Sequence, residues 1–122
     1  MKYLDTNILV RVITGDDQAL ATQAVATIEG GAQNEFSIID AVFVELCFIL
    51  EFHAYRMQRS DIADAVETLI ATPQITVSDT AKQTFKLYRE HPKLDYADCL
   101  LFALGGKHGV VTFDKGLQKE LL

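Results

Sequence analysis

The sequence has no tryptophan, only two prolines and two cysteines, and no apolar run long enough to cross a membrane. A membrane-spanning helix takes about 20 consecutive apolar residues, so no membrane association is expected. The N-terminus has no basic region followed by a long apolar stretch, which argues against a secretory signal and favours the cytoplasm. Cys47 and Cys99 each lie in an apolar segment without a neighbouring histidine, which predicts free thiols rather than a zinc site.

Basic residues are also scarce, with 11 Lys and Arg against 17 Asp and Glu and a formal net charge of −6. Such a protein gains no bulk electrostatic attraction to nucleic acid. To act on nucleic acid it would need a local basic patch, a metal ion or a basic partner. The composition, 49% hydrophobic and 23% charged, predicts a globular protein, and 122 residues predict a single domain, residues 1–122.

Two widespread catalytic motifs are missing. No Gly-rich loop runs into Lys-Ser or Lys-Thr, which excludes the common phosphate-cradling NTPase loop, and no Gly-x-Ser-x-Gly elbow is present. The three histidines, His53, His91 and His108, stand at helix ends or beside helix breakers. These positions predict structural or exposed histidines rather than acid–base catalysts.

What the chain does contain is four acidic residues set in or against apolar segments, called the four acids below. Asp5 follows the first apolar stretch, Glu45 interrupts residues 41–50, Asp98 opens an apolar segment and Asp114 closes one. A carboxylate loses much hydration free energy when it is buried alone. Because few basic residues stand nearby, a divalent cation is the partner that several converging acids would most readily share.

Three of the four acids also have a structural alternative. Asp5 and Asp114 suit helix N-caps, and Asp98 fits the third position of a capping box in which Asp95 is the cap. Asp95 and Asp98 would share one helix face, and the structural role is assigned to Asp95. Glu45 has no capping role in the middle of an apolar helix. It is therefore expected to have a compensating charge or a raised pKa.

Short strands alternate with helices along the chain. Strands are predicted at 2–4, 36–39, 75–77 and 110–112. Helices are predicted to begin at or near Asp5, Asp16 or Asp17, Asp40, Ser60, Asp79, Asp95 and Lys115, with Asp40 and Asp79 as N-caps. This alternation predicts an α/β fold with a central parallel sheet of four or five short strands and helices on both faces. In such sheets, sites form at the carboxyl ends of strands, where the four acids could meet.

Four segments resemble motifs of the PIN-domain family, specifically of VapC-type toxins, in the same order and with similar spacing. The resemblance spans nearly the whole chain. The segments are Leu4-Asp5-Thr6-Asn7-Ile8-Leu9-Val10-Arg11, Val44-Glu45-Leu46, Tyr96-Ala97-Asp98-Cys99-Leu100-Leu101 and Val111-Thr112-Phe113-Asp114-Lys115.

The resemblance implies a three-layer PIN-like fold and a metal-dependent ribonuclease, usually the toxin of a toxin–antitoxin pair. The family's acidic residues carry over onto the four acids, and Thr6, Asn7 and Thr112 match the polar positions that orient them. The resemblance also implies an antitoxin whose C-terminal segment lies across the acids, and the net charge of −6 favours a basic segment there. Family members commonly continue into a further short strand, whereas this sequence ends at Leu122.

Mg²⁺ or Mn²⁺ suits carboxylate ligands, lowers the pKa of a bound water and offsets charge on a scissile phosphate. Asp5 and Asp98 are the first expected ligands. Glu45 and Asp114 are expected to hold the water, accept its proton or complete a second metal site. Candidates for contacts to substrate phosphates, or else ordinary solvated charges, are Arg11, Lys107 and Lys115.

A homodimer is also predicted, because the helix from Asp40 is apolar almost all round and carries Phe43, Phe48 and Phe52. The helix near Ile62 and Val66 is the expected facing surface. Two other functional classes stay open. One is a receiver-like phosphate-handling regulator, which would place paired acids after its first strand. The other is a non-catalytic PIN-like binding module, which would have no Mg²⁺ or Mn²⁺ site.

Overall fold

The computed structural model describes residues 1–122 as three short strands and seven helices. The strands are β1 (Lys2–Tyr3), β2 (Phe36–Ser37) and β3 (Ile75–Thr76). The helices are α1 (Thr6–Thr14), α2 (Gln18–Glu29), α3 (Asp40–Phe52), α4 (Arg59–Ala71), α5 (Asp79–Glu90), α6 (Tyr96–Gly105) and α7 (Lys115–Glu120). None of these helices has both the length and the apolar character that a membrane crossing requires.

The three strands form one parallel sheet in the order β1-β2-β3. Lys2 pairs with Phe36, and Phe36 pairs in turn with Ile75. Each crossover between neighbouring strands passes through two helices, as parallel pairing requires. The predicted α/β fold with a helix-flanked parallel sheet is therefore confirmed.

Local capping signals explain where the first helices begin and end. Asp5 caps α1 by accepting a hydrogen bond from the Thr6 N–H at 2.7 Å, and Asp17 caps α2 by accepting from the Leu20 N–H at 3.1 Å. Gly15 ends α1 with φ at 61°, in the left-handed region that glycine enters at little cost. The sequence predicts Asp5 and Gly15 in these roles, and the structure selects Asp17 over Asp16 as the cap of α2.

Two later helices begin one residue earlier than their predicted acidic caps imply. Asp40 and Asp79 are each the first helical residue, and the capping positions belong to Ile39 and Ser78. The Ser78 hydroxyl accepts from the Ala81 N–H at 3.0 Å and donates to the Asp40 carboxylate at 3.3 Å. The expectation that Asp40 and Asp79 are N-caps is therefore wrong. Both acids lie in the first turn instead, where the partial positive charge of the helix end also favours a carboxylate.

The predicted fourth strand at 110–112 is absent, so the sheet has three strands rather than four or five. Val111 and Phe113 are fully exposed, and no backbone-to-backbone hydrogen bond involves residues 110–113. A strand needs a paired neighbour as well as β-branched residues. Here side chains hold the segment instead, because the Gln118 amide donates to the Thr112 carbonyl at 2.7 Å.

The core lies around α3, which is central to the molecule. Phe43, Leu46 and Leu50 on this helix are fully buried. Phe43 stacks on Tyr96 with ring centroids 5.8 Å apart, and Tyr96 contacts Tyr88 at 5.4 Å. These contacts join α3 to α5 and α6, and they fix the helix that carries Asp98 against the helix that carries Glu45.

Candidate active site

Asp5 lies where the first strand passes into the first helix. Leu4 continues the sheet by donating its N–H to the Ser37 carbonyl at 2.9 Å, and Asp5 then caps α1. The Asp5 side chain is exposed, whereas Thr6 beside it is 3% exposed. One oxygen of Asp5 takes the cap hydrogen bond, so its other oxygen faces no intramolecular donor.

Asp98 stands at the third position of α6, in a reciprocal capping box with Asp95. The Asp98 N–H donates to the Asp95 carboxylate at 2.8 Å, and the Asp95 N–H donates to the Asp98 carboxylate at 3.4 Å. Partial burial raises the pKa of Asp98, and the negative charges of Asp95 and Asp114 raise it further. The environment of Asp98 therefore opposes its ionisation in the absence of a cation.

Asp114 caps α7 by accepting from the Leu117 N–H at 3.0 Å. Its own N–H donates to the Thr112 hydroxyl at 3.0 Å, which fixes the turn that leads into the helix. The Asp114 side chain is exposed and lies close enough to Asp98 to influence its ionisation. Thr112 thus contacts the backbone of Asp114, and its role in orienting the acid stays a prediction.

Glu45 corrects an expectation from the sequence. The sequence predicts a buried Glu45 with a compensating charge or a raised pKa, yet the structure exposes its side chain on the outer side of α3. The helical period turns Phe43, Leu46 and Cys47 inward and leaves Glu45 outside with Phe48. A run of apolar residues in sequence is therefore not a buried environment for every residue within it.

Helix packing brings together the helices that carry or directly follow three of the four acids. Helices α1 and α3 both leave the carboxyl edge of the parallel sheet, and they pack against each other, as do α3 and α6. Asp5 and Asp98 lie in or just before the first turns of their helices, and Glu45 lies in the second turn of α3. The N-terminal end of a helix carries partial positive charge, which suits carboxylates and phosphate groups.

The donor chemistry of these side chains fits Mg²⁺ or Mn²⁺, which prefer carboxylate oxygens. A cation would also offset the two causes that raise the pKa of Asp98, its partial burial and the negative charges of Asp95 and Asp114. The geometry is less complete, because no three Asp, Glu, His or Cys side chains gather around one point as metal ligands. The structure thus groups Asp95, Asp98 and Asp114 electrostatically without assembling a finished metal centre.

Comparison with known proteins identifies the fold. The family model described as PIN domain matches residues 2–120. The chain belongs to the PIN-domain family. It is also 28% identical over 125 residues to a VapC ribonuclease of Aquifex aeolicus (strain VF5), an alignment that covers 98% of this chain and 91% of that protein. No solved structure matches it significantly. The family suggested by the four sequence segments is therefore confirmed.

Arg11 of this PIN domain is engaged within its own protein. Its guanidinium donates to the Asp16 carboxylate at 2.7 Å, and Asp16 also accepts from the Tyr55 hydroxyl at 2.6 Å and from the Thr14 hydroxyl at 3.0 Å. The Tyr55 hydrogen bond, followed by that of Arg11, lowers the pKa of Asp16 to about 2. Asp16 thus joins Arg11 on α1 to Tyr55 in the α3–α4 loop, and this internal ion pair favours a structural role for Arg11 over a contact to substrate phosphate. Lys107 and Lys115 are exposed and form no ion pair.

A groove between α1 and α2 was not foreseen from the sequence. Asn7 and Arg11 line it from α1, and Gln23 and Thr27 line it from α2. Each pair is four residues apart and therefore shares a helix face, which is the signal that could have found it. Asn7 places one end of the groove two residues from Asp5, on the same helix turn.

Proposed function

We propose that this chain is a metal-dependent endoribonuclease that hydrolyses RNA phosphodiester bonds with Mg²⁺ or Mn²⁺ in the cytoplasm. The observation that carries the proposal is the partly buried Asp98, whose ionisation is opposed by Asp95 and Asp114, in a chain that belongs to the PIN-domain family. The VapC ribonuclease relative supports the same activity. A cation at Asp98 would remove the repulsion and leave a charged site for phosphate.

The four acids divide the work in this proposal. Asp5 and Asp98 hold the ion, while Glu45 and Asp114 orient and deprotonate the attacking water or complete a second metal site. When bound, the ion supplies positive charge for the phosphate and lowers the pKa of water. No histidine base is needed, and His91 is occupied elsewhere, 3.4 Å from the Glu120 carboxylate and against the Phe102 ring.

Cleavage of a labelled RNA by the purified protein tests this function. We expect cleavage with Mg²⁺ or Mn²⁺, none with EDTA, and none for Asp5→Asn or Asp98→Asn purified in parallel. Asp64→Asn is the matched control, because Asp64 is an exposed acid on α4 that pairs only with Arg89. Cleavage that persists in EDTA, or wild-type activity in Asp98→Asn, would contradict the mechanism.

We further propose that the enzyme is the toxin of a type II toxin–antitoxin pair and that a basic antitoxin segment covers the acids. The net charge of −6 and the clustered carboxylates of Asp95, Asp98 and Asp114 support attraction of such a segment. Binding should weaken with rising salt and compete with Mg²⁺. The test compares antitoxin affinity for wild type and Asp5→Asn at two salt concentrations, and equal salt slopes would contradict the proposal.

We propose a homodimer through Phe48 and Phe52 in the C-terminal half of α3. Phe48 and Phe52 are 54% and 52% exposed there, with ring centroids 5.5 Å apart. The expected facing surface is wrong, because Ile62 and Val66 are fully buried within the chain. Sedimentation should give a dimer at tens of micromolar, and Phe48→Ser should dissociate it. A monomeric wild type at that concentration would reject the interface.

The second candidate function is a non-catalytic PIN-like binding module. It is favoured by the finding that no three acids surround one point as metal ligands. Calorimetric titration with Mn²⁺ separates the two candidates. The nuclease should bind Mn²⁺ and lose that binding in Asp98→Asn, whereas a binding module should show no saturable uptake in either protein.

A further inference from the structure

Arg59, at the first position of α4, makes an unusually dense set of hydrogen bonds. Its Nη2 donates to the carbonyls of Tyr88 at 3.2 Å and His91 at 3.3 Å, and also to the carbonyl of Leu94. Its Nη1 donates to the carbonyl of Pro92 at 3.1 Å. One guanidinium therefore binds four carbonyls in the last turn of α5 and in the loop that follows.

Two further contacts fix the orientation of the guanidinium. Its central carbon lies 3.5 Å from the centroid of the Tyr88 ring, and Nη1 lies 3.3 Å from the Glu51 carboxylate on α3. The Arg59 side chain is only 15% exposed. A flat fork of donors stacked on a ring is a geometry that lysine cannot reproduce. Three helices, α3, α4 and α5, thus meet at this side chain.

The last carbonyl in this set stands directly before the candidate active site. Leu94 is followed by Asp95, whose N–H and carboxylate form the capping box with Asp98. The loop is also held by the His91 side chain, which lies 3.4 Å from the Glu120 carboxylate, and by the burial of Leu94 and Tyr96 in the core, while the Leu94 N–H returns to the His91 carbonyl at 3.0 Å within the loop itself. The hydrogen bonds from Arg59 add the polar link between the loop carbonyls and α4, and the last of them binds the backbone directly before Asp95.

We propose that Arg59 is a positioning residue that sets the place of Asp98 by fixing the loop from His91 to Leu94. Its influence passes through the backbone, because its own hydrogen bonds stop one residue short of Asp95. Arg59 positions the loop through its hydrogen bonds to the loop carbonyls, and its ion pair with Glu51 contributes less to this positioning. The proposal rests on the proposed function only where metal binding and cleavage are concerned.

Arg59→Lys tests the proposal, because lysine keeps the positive charge and loses the fork. Arg89→Lys is the matched control. Arg89 is a partly exposed arginine on α5 that bridges Asp64 and Glu67 without touching a loop carbonyl. Amide hydrogen exchange is measured along the chain in both variants, followed by calorimetric Mn²⁺ binding and RNA cleavage over a range of Mn²⁺ concentrations.

In Arg59→Lys, exchange of the Asp98 and Cys99 amides should accelerate about 10- to 100-fold, as expected when one hydrogen bond to a charged donor is lost. The Leu9 and Val10 amides of α1 should change no more than in the control. Mn²⁺ affinity should fall, and the cleavage rate should recover at saturating Mn²⁺. Wild-type exchange at Asp98, or equal acceleration in α1 and α6, would overturn the proposal.

Wild-type protein provides a second measurement if Arg59→Lys does not fold. Native-state exchange in low urea should show that the Leu94 and Asp98 amides open in one event, below the global transition. Opening of Asp98 while Leu94 stays protected would overturn the proposal. A wild type that neither binds Mn²⁺ nor cleaves RNA would defeat the proposed function, and the exchange results would still decide the role of Arg59.

Discussion

Replacing Arg59 with methionine should be among the most destabilising single changes in this protein. Methionine keeps much of the aliphatic volume, so the change removes the guanidinium rather than creating a large cavity. It breaks the hydrogen bonds to four carbonyls and leaves Glu51, which is 19% exposed, without its cation. It also removes the contact with the Tyr88 ring.

The magnitude follows from these contacts. A lost hydrogen bond to a charged group costs about 1.5–3 kcal/mol, and removing one partner of a buried charge pair costs about 3–5 kcal/mol. Water can reach some of the loop carbonyls, since Pro92 is exposed, so the individual costs do not simply add. We therefore expect a loss of about 3–5 kcal/mol in the free energy of unfolding, out of about 5–15 kcal/mol for a typical domain.

Urea unfolding followed by far-ultraviolet circular dichroism measures this loss, because the chain has no tryptophan for fluorescence. Arg89→Met is the control. Arg89 also forms two ion pairs, but its side chain is 41% exposed and its partners Asp64 and Glu67 are 69% and 62% exposed. Exposed pairs contribute about 0–1 kcal/mol. Equal losses in the two variants would refute the argument that burial and the carbonyl contacts make Arg59 different.

Three further changes test other parts of the structure. Asp98→Asn should stabilise the metal-free protein at neutral pH. Because the pKa of Asp98 is raised in the folded protein, the free energy of unfolding falls as the pH rises from the ordinary pKa of an aspartate through the raised pKa. Thermal unfolding of the variant across pH should show no such fall. Tyr55→Phe should weaken stability above the ordinary pKa of Asp16. The lowered pKa of Asp16, about 2, gives stability that is lost as the pH falls toward that value, so the two proteins should converge in acid, and divergence there would contradict the linkage. Gly15→Ala should cost about 1 kcal/mol, because alanine is strained at the left-handed end of α1, and a neutral result in urea unfolding would contradict the role of that turn.

Much of the fold was predictable from the sequence because its boundaries depend on local chemistry. Asp5, Asp17 and Gly15 each act on backbone groups within three or four residues, so their effect is visible in the sequence. The capping box of Asp95 and Asp98 is local in the same sense. The parallel arrangement was predictable for a different reason. Strands that are separated by helical crossovers have few alternative ways to pair.

The features that were mispredicted depend on tertiary partners. Residues 110–112 have the composition of a strand, but no neighbouring strand pairs with them. Glu45 stands in an apolar run, but the helix turns it outward. Arg59 binds carbonyls 29 to 35 residues away, and no pattern within its own helix indicates those contacts.

The candidate site was predicted in its residues more completely than in its geometry. The apolar surroundings of the four acids marked them in the sequence, the family resemblance matched them, and the structure places Asp98 and Asp114 within electrostatic reach of each other. Sequence spacing carried no information on whether Asp5 and Glu45 approach them closely enough to share an ion. That distance depends on how α1 and α3 pack against α6, which is set by the core around Phe43 and Tyr96.

The most direct test of the account is a crystal structure of the protein grown with Mn²⁺, with anomalous scattering used to locate the ion. The account predicts an anomalous peak about 2.1 Å from carboxylate oxygens of Asp5 and Asp98, as expected for an oxygen-ligated ion of this size. A peak confined to other acids, such as Asp64 and Glu67, or no peak at Asp98 in the presence of saturating Mn²⁺, would contradict the claim that these acids form a metal-dependent active site.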